Sequence, residues 1–439
     1  MPADVINGPR LIRHLGELGS IGRTEDGSLV RLAGSDEDRL GRDKFVEWVK
    51  EAGLDVAVDK VGNVFGIWNP DGVDPDHPVL MLGSHIDTVI NAGIYDGCYG
   101  VVAGLEVIQT LKEMGAKPAL PIVIAAFCNE EGVLYSPDMM GSLVYAGGIS
   151  AEAALSTVGA DGSVLGERLA EIGYAGPEEP GFLKPHAYVE LHIEQGPVLE
   201  REGIAIGAVE NLQGISWQRI VISGDANHAG TTPISMRRDA GLAAARVITF
   251  LRDRAQASNS PTVATVGTIS FEPNAINVIP SRATFTVDLR DPNAERLRRE
   301  EAALEEFLQQ LEKDEDVTVE VERLARFEPV QFDRNIVELI EQKASLRGYS
   351  HKRMTSGAGH DAQMIARIAP TAMIFVPSIG GVSHNPKEFT PEEDLITGAN
   401  VLLDVVRSLS DAEQPNDKAE WNNSKLERRS KPQHGTRNQ

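Results

Sequence analysis

Pro78-Val79-Leu80-Met81-Leu82-Gly83-Ser84-His85-Ile86-Asp87 decides the fold class. An apolar run bounded by a proline reads as a buried strand. From Gly83 it gives way to small and polar residues, the exit expected of a strand in an open α/β sheet, where ligands gather. Residues 97–114, rich in Val, Ala and Leu and closed by Gly115, carry a helical pattern. Residues 122–127, Ile-Val-Ile-Ala-Ala-Phe, are a second apolar run. Strand, helix and strand at this spacing make a βαβ unit, which implies parallel strands joined by a right-handed crossover.

The exit itself carries chemistry. His85 and Asp87 alternate with Leu82 and Ile86, so both can project into one cleft. Asp96 follows a glycine-containing loop and precedes Gly97, where the helical pattern opens. An imidazole and two carboxylates at one strand end suit a divalent metal. A capped turn with a hydrogen-bonded histidine accounts for the same residues, and the spacing matches no closed zinc-finger pattern.

Composition narrows the class. A chain of 439 residues implies two or three domains, and 41% hydrophobic content fits an α/β protein with a sizeable core. A formal charge of −23 argues against nucleic acid or an anionic membrane surface as partner. Two cysteines, Cys98 and Cys128, offer no disulfide framework, and the N-terminus shows no charged-then-apolar signal. No apolar run reaches membrane-spanning length. A cytoplasmic protein is expected.

Helical patterns are read at 5–20, 36–52, 239–251, 295–311, 335–346, 358–368 and 391–409. Strands are read at 188–193, 217–223, 262–271, 283–289, 317–321 and 371–376, and 55–61 with 63–68 form a hairpin around Gly62. The order predicts an α/β domain with a mainly parallel sheet over 1–212 and 330–410, split by an inserted α+β domain over 213–329. A polar, disordered tail is expected over 411–439. Trp217 and the two cysteines read as buried packing.

Glu130 and Glu131 end the second strand. Neighbouring side chains diverge, so one can meet a metal while the other, as a general base, faces substrate. Acidic residues satisfying a helix N-terminus are the plainer alternative. His192 ends the strand at 188–193, and His384 follows the strand at 371–376. Strand exits thus deliver His85 with Asp96, Glu131, His192 and His384 to one sheet edge. That set exceeds what one zinc needs and suits two metals sharing a carboxylate.

The motifs Gly83-Ser84-His85-Ile86-Asp87-Thr88, Tyr95-Asp96-Gly97, Asn129-Glu130-Glu131-Gly132 and the late His384 resemble the metallopeptidase clan of aminoacylases and dinuclear-metal dipeptidases. His192-Ile193-Glu194-Gln195-Gly196-Pro197, His228-Ala229-Gly230-Thr231-Thr232-Pro233 and Asn277-Val278-Ile279-Pro280, with Asp288-Leu289-Arg290, resemble its amidase branch: N-carbamoyl-L-amino acid hydrolases, β-ureidopropionases and allantoate amidohydrolases. The similarity covers about residues 7 to 410.

The resemblance implies a catalytic domain with an inserted lid and dimerisation domain, and two divalent ions per subunit, of zinc, manganese, cobalt or nickel. His85, Asp96 and His192 would hold one ion, and Asp96, Glu131 and His384 the other. Histidine at 192, where peptidase relatives carry a carboxylate, marks the amidase branch. Asp87 would orient His85. Glu130 would move a proton from the attacking water to the leaving nitrogen. Gln195, Asn277, Arg290 and Gly359 would bind substrate, Arg290 through its carboxylate. His228 would bind substrate and stabilise the oxyanion in the partner's site of a homodimer. Without the resemblance, Arg290 reads as a surface salt bridge to Asp288 or Asp291.

The implied reaction is cleavage of a ureido C–N bond in a small carboxylate-bearing compound such as an N-carbamoyl-L-amino acid. Allantoate-type cleavage, or acyl and dipeptide cleavage, is the rival within enzymes. A metal-free binder of small acids is the rival outside them, and Glu130 argues against it, since a binder needs no general base. Leu134-Tyr135 stands where the branch usually has arginine–phenylalanine, Leu143 where it has a further arginine, and Ala92 where it has glycine. These departures put substrate choice near Leu134, Leu143 and the inserted domain.

Overall fold

The computed structural model describes residues 4–25, 27–74 and 77–411, so the expected tail falls, past Asp411, outside the described residues. In chain order the strands are β1 (Asp55–Val58), β2 (Val64–Trp68), β3 (Val79–His85), β4 (Ile122–Phe127), β5 (Pro185–Ile193), β6 (Ile206–Leu212), β7 (Gly214–Ser223), β8 (Val263–Glu272), β9 (Arg282–Asp291), β10 (Thr318–Phe327), β11 (Val330–Gln331), β12 (His351–Ser356) and β13 (Thr371–Val376). The larger sheet has the order β1-β2-β4-β3-β5-β13-β6-β11, with β12 paired to β6.

Its centre is parallel. Leu80 lies opposite Ile122, Leu82 opposite Val189, and His192 opposite Phe375. The carboxyl ends of β3, β4, β5 and β13 therefore share one edge, as the βαβ reading required. Strands covered on both faces need continuous apolar sequence. β3, β4 and β13 are accordingly buried at every residue. The flanks are antiparallel: β1 on β2, β2 on β4, and β6 on β13. Helix Cys98–Glu113, buried around most of its circumference, packs between this sheet and helices Gly8–Leu18 and Glu392–Ser410.

The second sheet, β10-β7-β9-β8, is antiparallel throughout. Helices Ala240–Ala257 and Ala294–Glu315 cover one face, over a core that includes Ile220, Ile222, Val247, Phe285, Val287 and Leu304. Strand alternation sends Ile215, Trp217, Asp288 and Arg290 to the opposite face. Arg290 Nη1 donates to the Gly357 carbonyl at 2.8 Å and ties this sheet to the segment after β12.

Three local expectations change. β12, His-Lys-Arg-Met-Thr-Ser, has no apolar pattern to announce it, yet pairs in parallel with β6. The helix expected over 358–368 is only Asp361–Ile365. The hairpin turn is longer, because the Asp59 carboxylate accepts from the backbone of Val61 and Asn63 and from the Asn63 amide.

Candidate metal centre

The shared edge brings His85, Asp96, Glu130, Glu131, His192 and His384 together. Asp96 is the hub. Its Oδ1 lies 3.2 Å from His192 Nε2 and 3.8 Å from His85 Nε2, and its Oδ2 lies 3.2 Å from His384 Nε2. His384 Nε2 is also 3.6 Å from Glu131 Oε2. Among the described residues four triads have donor atoms within 4.8 Å of one another: His85–Asp96–His192 and Asp96–Glu131–His384, which share Asp96, and His85–Glu130–Glu131 and Glu190–His192–His360. All but His384 are buried or half-buried.

Local backbone sets this geometry. Gly97 holds φ 65°, and a Cβ there would stand 2.3 Å from His85 Nε2, so glycine leaves room for the ring. Asn129, Gln195 and His384 hold φ of 55°, 56° and 52°, uncommon outside glycine. Nδ1 of His85 faces the Asp87 carbonyl at 3.0 Å, and Nδ1 of His192 faces the Ile193 carbonyl at 2.9 Å. Those contacts turn Nε2 of each ring towards the cluster, where Nε2 of His192 also accepts the Gly97 N–H at 3.1 Å. Asp87 thus meets His85 through its main chain. Its carboxylate, 3.9 Å from Nδ1, instead accepts the backbone N–H groups of Glu130 and Glu131, each at 3.2 Å.

The donor set fits cations. Among the described residues, the ion pairs of Asp87, Asp96, Glu130 and Glu131 run to imidazoles, never to lysine or arginine. Glu131 Oε1 is buried with no hydrogen-bond partner. Burial, then the charges of Glu131, Asp361, Asp96 and Asp87, push Glu130 well above the usual carboxylate range. Burial would also raise Asp96, but hydrogen bonds from His192 and His384 outweigh it and hold that carboxyl low. Concentrated buried negative charge of this kind needs positive counter-charge.

The cluster opens into a cleft of about 210 Å³ lined also by Gln195, Arg290, Gly359, Trp217, Ile215 and Phe327. Gln195 Nε2 donates to Asp96 Oδ2 at 2.8 Å. Arg290 both pairs with Asp288, at 2.9 to 3.1 Å, and faces the cleft. The salt bridge to Asp288 is therefore present, and it leaves Arg290 within the cleft wall. Trp217 is not core packing: it is 36% exposed and lines the cleft. Cys98 and Cys128 are buried, as expected. Leu134 packs against the core, and neither it nor Leu143 is among the cleft's lining residues. Their departure from the family pattern thus falls outside the cleft wall. His228 and Asn277 are exposed on adjoining loops of the second sheet's domain, joined by the Ala229 N–H to the Asn277 carbonyl at 2.9 Å, and do not line their own chain's cleft.

The sequence reading overlooked Glu388. Its Oε1 accepts from the backbone of Tyr95 at 3.0 Å and Asp96 at 3.2 Å, and its Oε2 from Ser383 Oγ at 2.8 Å. It ties the Asp96 loop to the His384 loop. Gly93 makes room for it, since a Cβ there would stand 2.2 Å from Glu388 Oε1.

A split parallel sheet, an antiparallel second domain and this ligand cluster define a hydrolase with a site able to hold metal. The chain belongs to peptidase family M20/M25/M40, which matches residues 81–408. It is 40% identical to an N-carbamoyl-L-amino-acid amidohydrolase of Rhizobium meliloti, across 91% of this chain and 96% of that one. It is 35% identical to the allantoate amidohydrolase of Escherichia coli (strain K12), across 90% and 96%. The crystal structure of an amidase of the hydantoinase/carbamoylase family from Burkholderia multivorans superposes with a TM-score of 0.91 at 41% identity, covering 94% of this chain and all of that one. The resemblance drawn from the motifs holds. No helix among the described residues is long and apolar enough to cross a membrane.

Proposed function

We propose that this chain is an N-carbamoyl-L-amino acid amidohydrolase using two divalent ions held through Asp96. The observation that carries the reading is the sharing of Asp96 between two ligand triads, with Glu130 Oε2 3.4 Å from His85 Nε2 at the cleft. The names of the relatives support the substrate class. His85, Asp96 and His192 would hold one ion, and Asp96, Glu131 and His384 the other. Such ions polarise a carbonyl and acidify water, and nitrogen and carboxylate donors accept zinc, manganese, cobalt or nickel.

The chain's own residues do the rest. Arg290 has five N–H donors, and the contacts to Asp288 and Gly357 leave two for a substrate carboxylate. Gln195 and Gly359 flank the ureido group. Glu130 takes a proton from the attacking water as its oxygen bonds to the ureido carbon, and returns it to the amino nitrogen as the C–N bond breaks. The products are the amino acid and carbamic acid, which decomposes to ammonia and carbon dioxide. His228 and Asn277, outside their own cleft, serve the partner's site in a homodimer. Two buried, unpaired cysteines accord with the cytoplasm.

Ammonia release from N-carbamoyl-L-amino acids, N-carbamoyl-β-alanine and allantoate, beside free amino acid release from N-acetyl amino acids and dipeptides, tests the reading on manganese-reconstituted protein. Carbamoyl turnover with about two ions bound is expected. Acyl cleavage without carbamoyl cleavage would replace it with an aminoacylase, and fewer than about one ion bound would replace it with a metal-free binder.

A further inference from the structure

Glu190 stands inside β5, a central strand, and is fully buried. A carboxylate is seldom buried there, because taking it out of water is costly unless a cation pairs with it. The hydrogen bonds to Glu190 come from neutral donors instead. Ser84 Oγ donates to its Oε1 at 2.7 Å, and the Ala362 N–H and the Tyr188 hydroxyl donate to its Oε2 at 2.8 and 3.2 Å.

The backbone shows what those bonds span. The β3–β5 ladder ends where Leu82 lies opposite Val189, although β3 runs on to His85 and β5 to Ile193. The strands part there, and the first turn of helix Cys98–Glu113 enters the fork: a Cβ on Gly100 would stand 2.4 Å from the Leu191 carbonyl oxygen and 2.9 Å from Ser84 Cβ. His85 and His192 therefore sit on two arms past the end of their shared ladder. The Ser84–Glu190 bond bridges those arms. The Ala362 bond fixes the start of the short helix after His360, whose ring centroid is 4.5 Å from that of His192. Glu190 groups with His192 and His360 as a triad, but three donors already occupy its oxygens, so it acts as a brace and not as a ligand.

Resting on the two-ion reading, we propose that Glu190 is a positioning residue which, through Ser84, sets the spacing of His85 and His192 for the ion they would hold with Asp96. Apolar packing would close the fork at lower cost, but only a hydrogen bond fixes its width and direction.

The full chain loaded with cobalt tests this through its visible absorption bands and its rate of cobalt loss to a chelator, neither of which needs turnover. Ser84→Ala cuts only the bridge, and Glu190→Met removes the carboxylate at similar length. Glu190→Gln keeps the brace, since its amide oxygen accepts from Ala362 and the Ser84 hydroxyl can turn to accept from its nitrogen. Ser84→Ala and Glu190→Met should each release a cobalt ion about 10-fold faster than the parent, with shifted bands, while Glu190→Gln stays near the parent. Parental bands and release rates in Ser84→Ala would overturn the assignment, even with a lower urea midpoint. Equal loss from Glu190→Gln and Glu190→Met would overturn it too, and if Glu190→Met does not fold, Ser84→Ala decides. A parent chain that takes up no cobalt would instead remove the metal reading, and the brace with it.

Discussion

Glu388 reaches the candidate metal cluster only through hydrogen bonds, yet it holds the Asp96 and His384 loops in register. Replacing it by alanine frees three donors and leaves Asp96 and His384 to drift independently. Glu388→Ala should therefore shed metal about 10-fold faster to a chelator than the parent. Glu388→Gln, whose amide oxygen still accepts both backbone N–H groups, should stay near the parent, and equal loss from both variants would mean that charge rather than position matters. Glu130 makes the opposite case. It lies beside the candidate ligands and groups with His85 and Glu131, but belongs to neither triad that shares Asp96. Glu130→Gln should retain the full metal complement and lose about 10³-fold in kcat, measured by metal analysis beside steady-state kinetics. The two residues were not equally legible. Glu130 stands at the end of an apolar strand, where position alone suggests chemistry. Glu388 sits in a loop and acts on the backbone of residues almost three hundred positions away, which no local pattern records.

Helices Gly8–Leu18 and Asp36–Glu51 meet through His14, stacked on Trp48 with ring centroids 4.3 Å apart and planes 15° from parallel. Burial, and then the charge of Arg13, push the His14 imidazole down to about 4 from an ordinary 6.5. The folded state thus prefers the neutral ring. Its contribution is complete above the unfolded pKa of 6.5 and is lost as pH falls through that value towards 4. The full loss is on the order of 3 kcal/mol. His14→Phe keeps the stack and removes the titration. The stability difference between variant and parent in urea should widen in the variant's favour between pH 7.5 and 4.5, and a constant difference would refute the assignment. Elements of this kind were readable because helix and parallel-strand periods are strong where one face, or both, must be buried. β12 was not readable: it is half-exposed, polar, and held in the sheet by its ladder with β6 rather than by side-chain burial. Trp217 misled for the converse reason. Apolar character signals burial by default, and only the sheet register shows that this residue looks into the cleft.

Across the whole molecule, the site divides between two bodies. The large sheet supplies the candidate ligands and Glu130; the second sheet supplies Arg290, Ile215, Trp217 and Phe327 of the cleft wall, and one hydrogen bond between them runs from Arg290 to the Gly357 carbonyl. Single-chain folding accounts for that much of the cleft. It leaves His228 and Asn277 exposed on loops outside it, with Ile234, Met236 and Ile276 beside them at 76%, 71% and 104% exposure. Two substitutions separate a shared site from a self-contained one. A His228→Ala chain has an intact cleft but lends nothing to its partner, while a Glu130→Gln chain has a dead cleft but lends an intact His228. In a mixed dimer one cleft then has both residues and the other has neither. Each variant alone should be nearly inactive. Dissociating and reassociating an equal mixture makes about half the dimers hybrid, each with one working site, and should return about a quarter of parental activity. If His228 served its own cleft, every site in the mixture would lack one residue, and mixing would recover nothing.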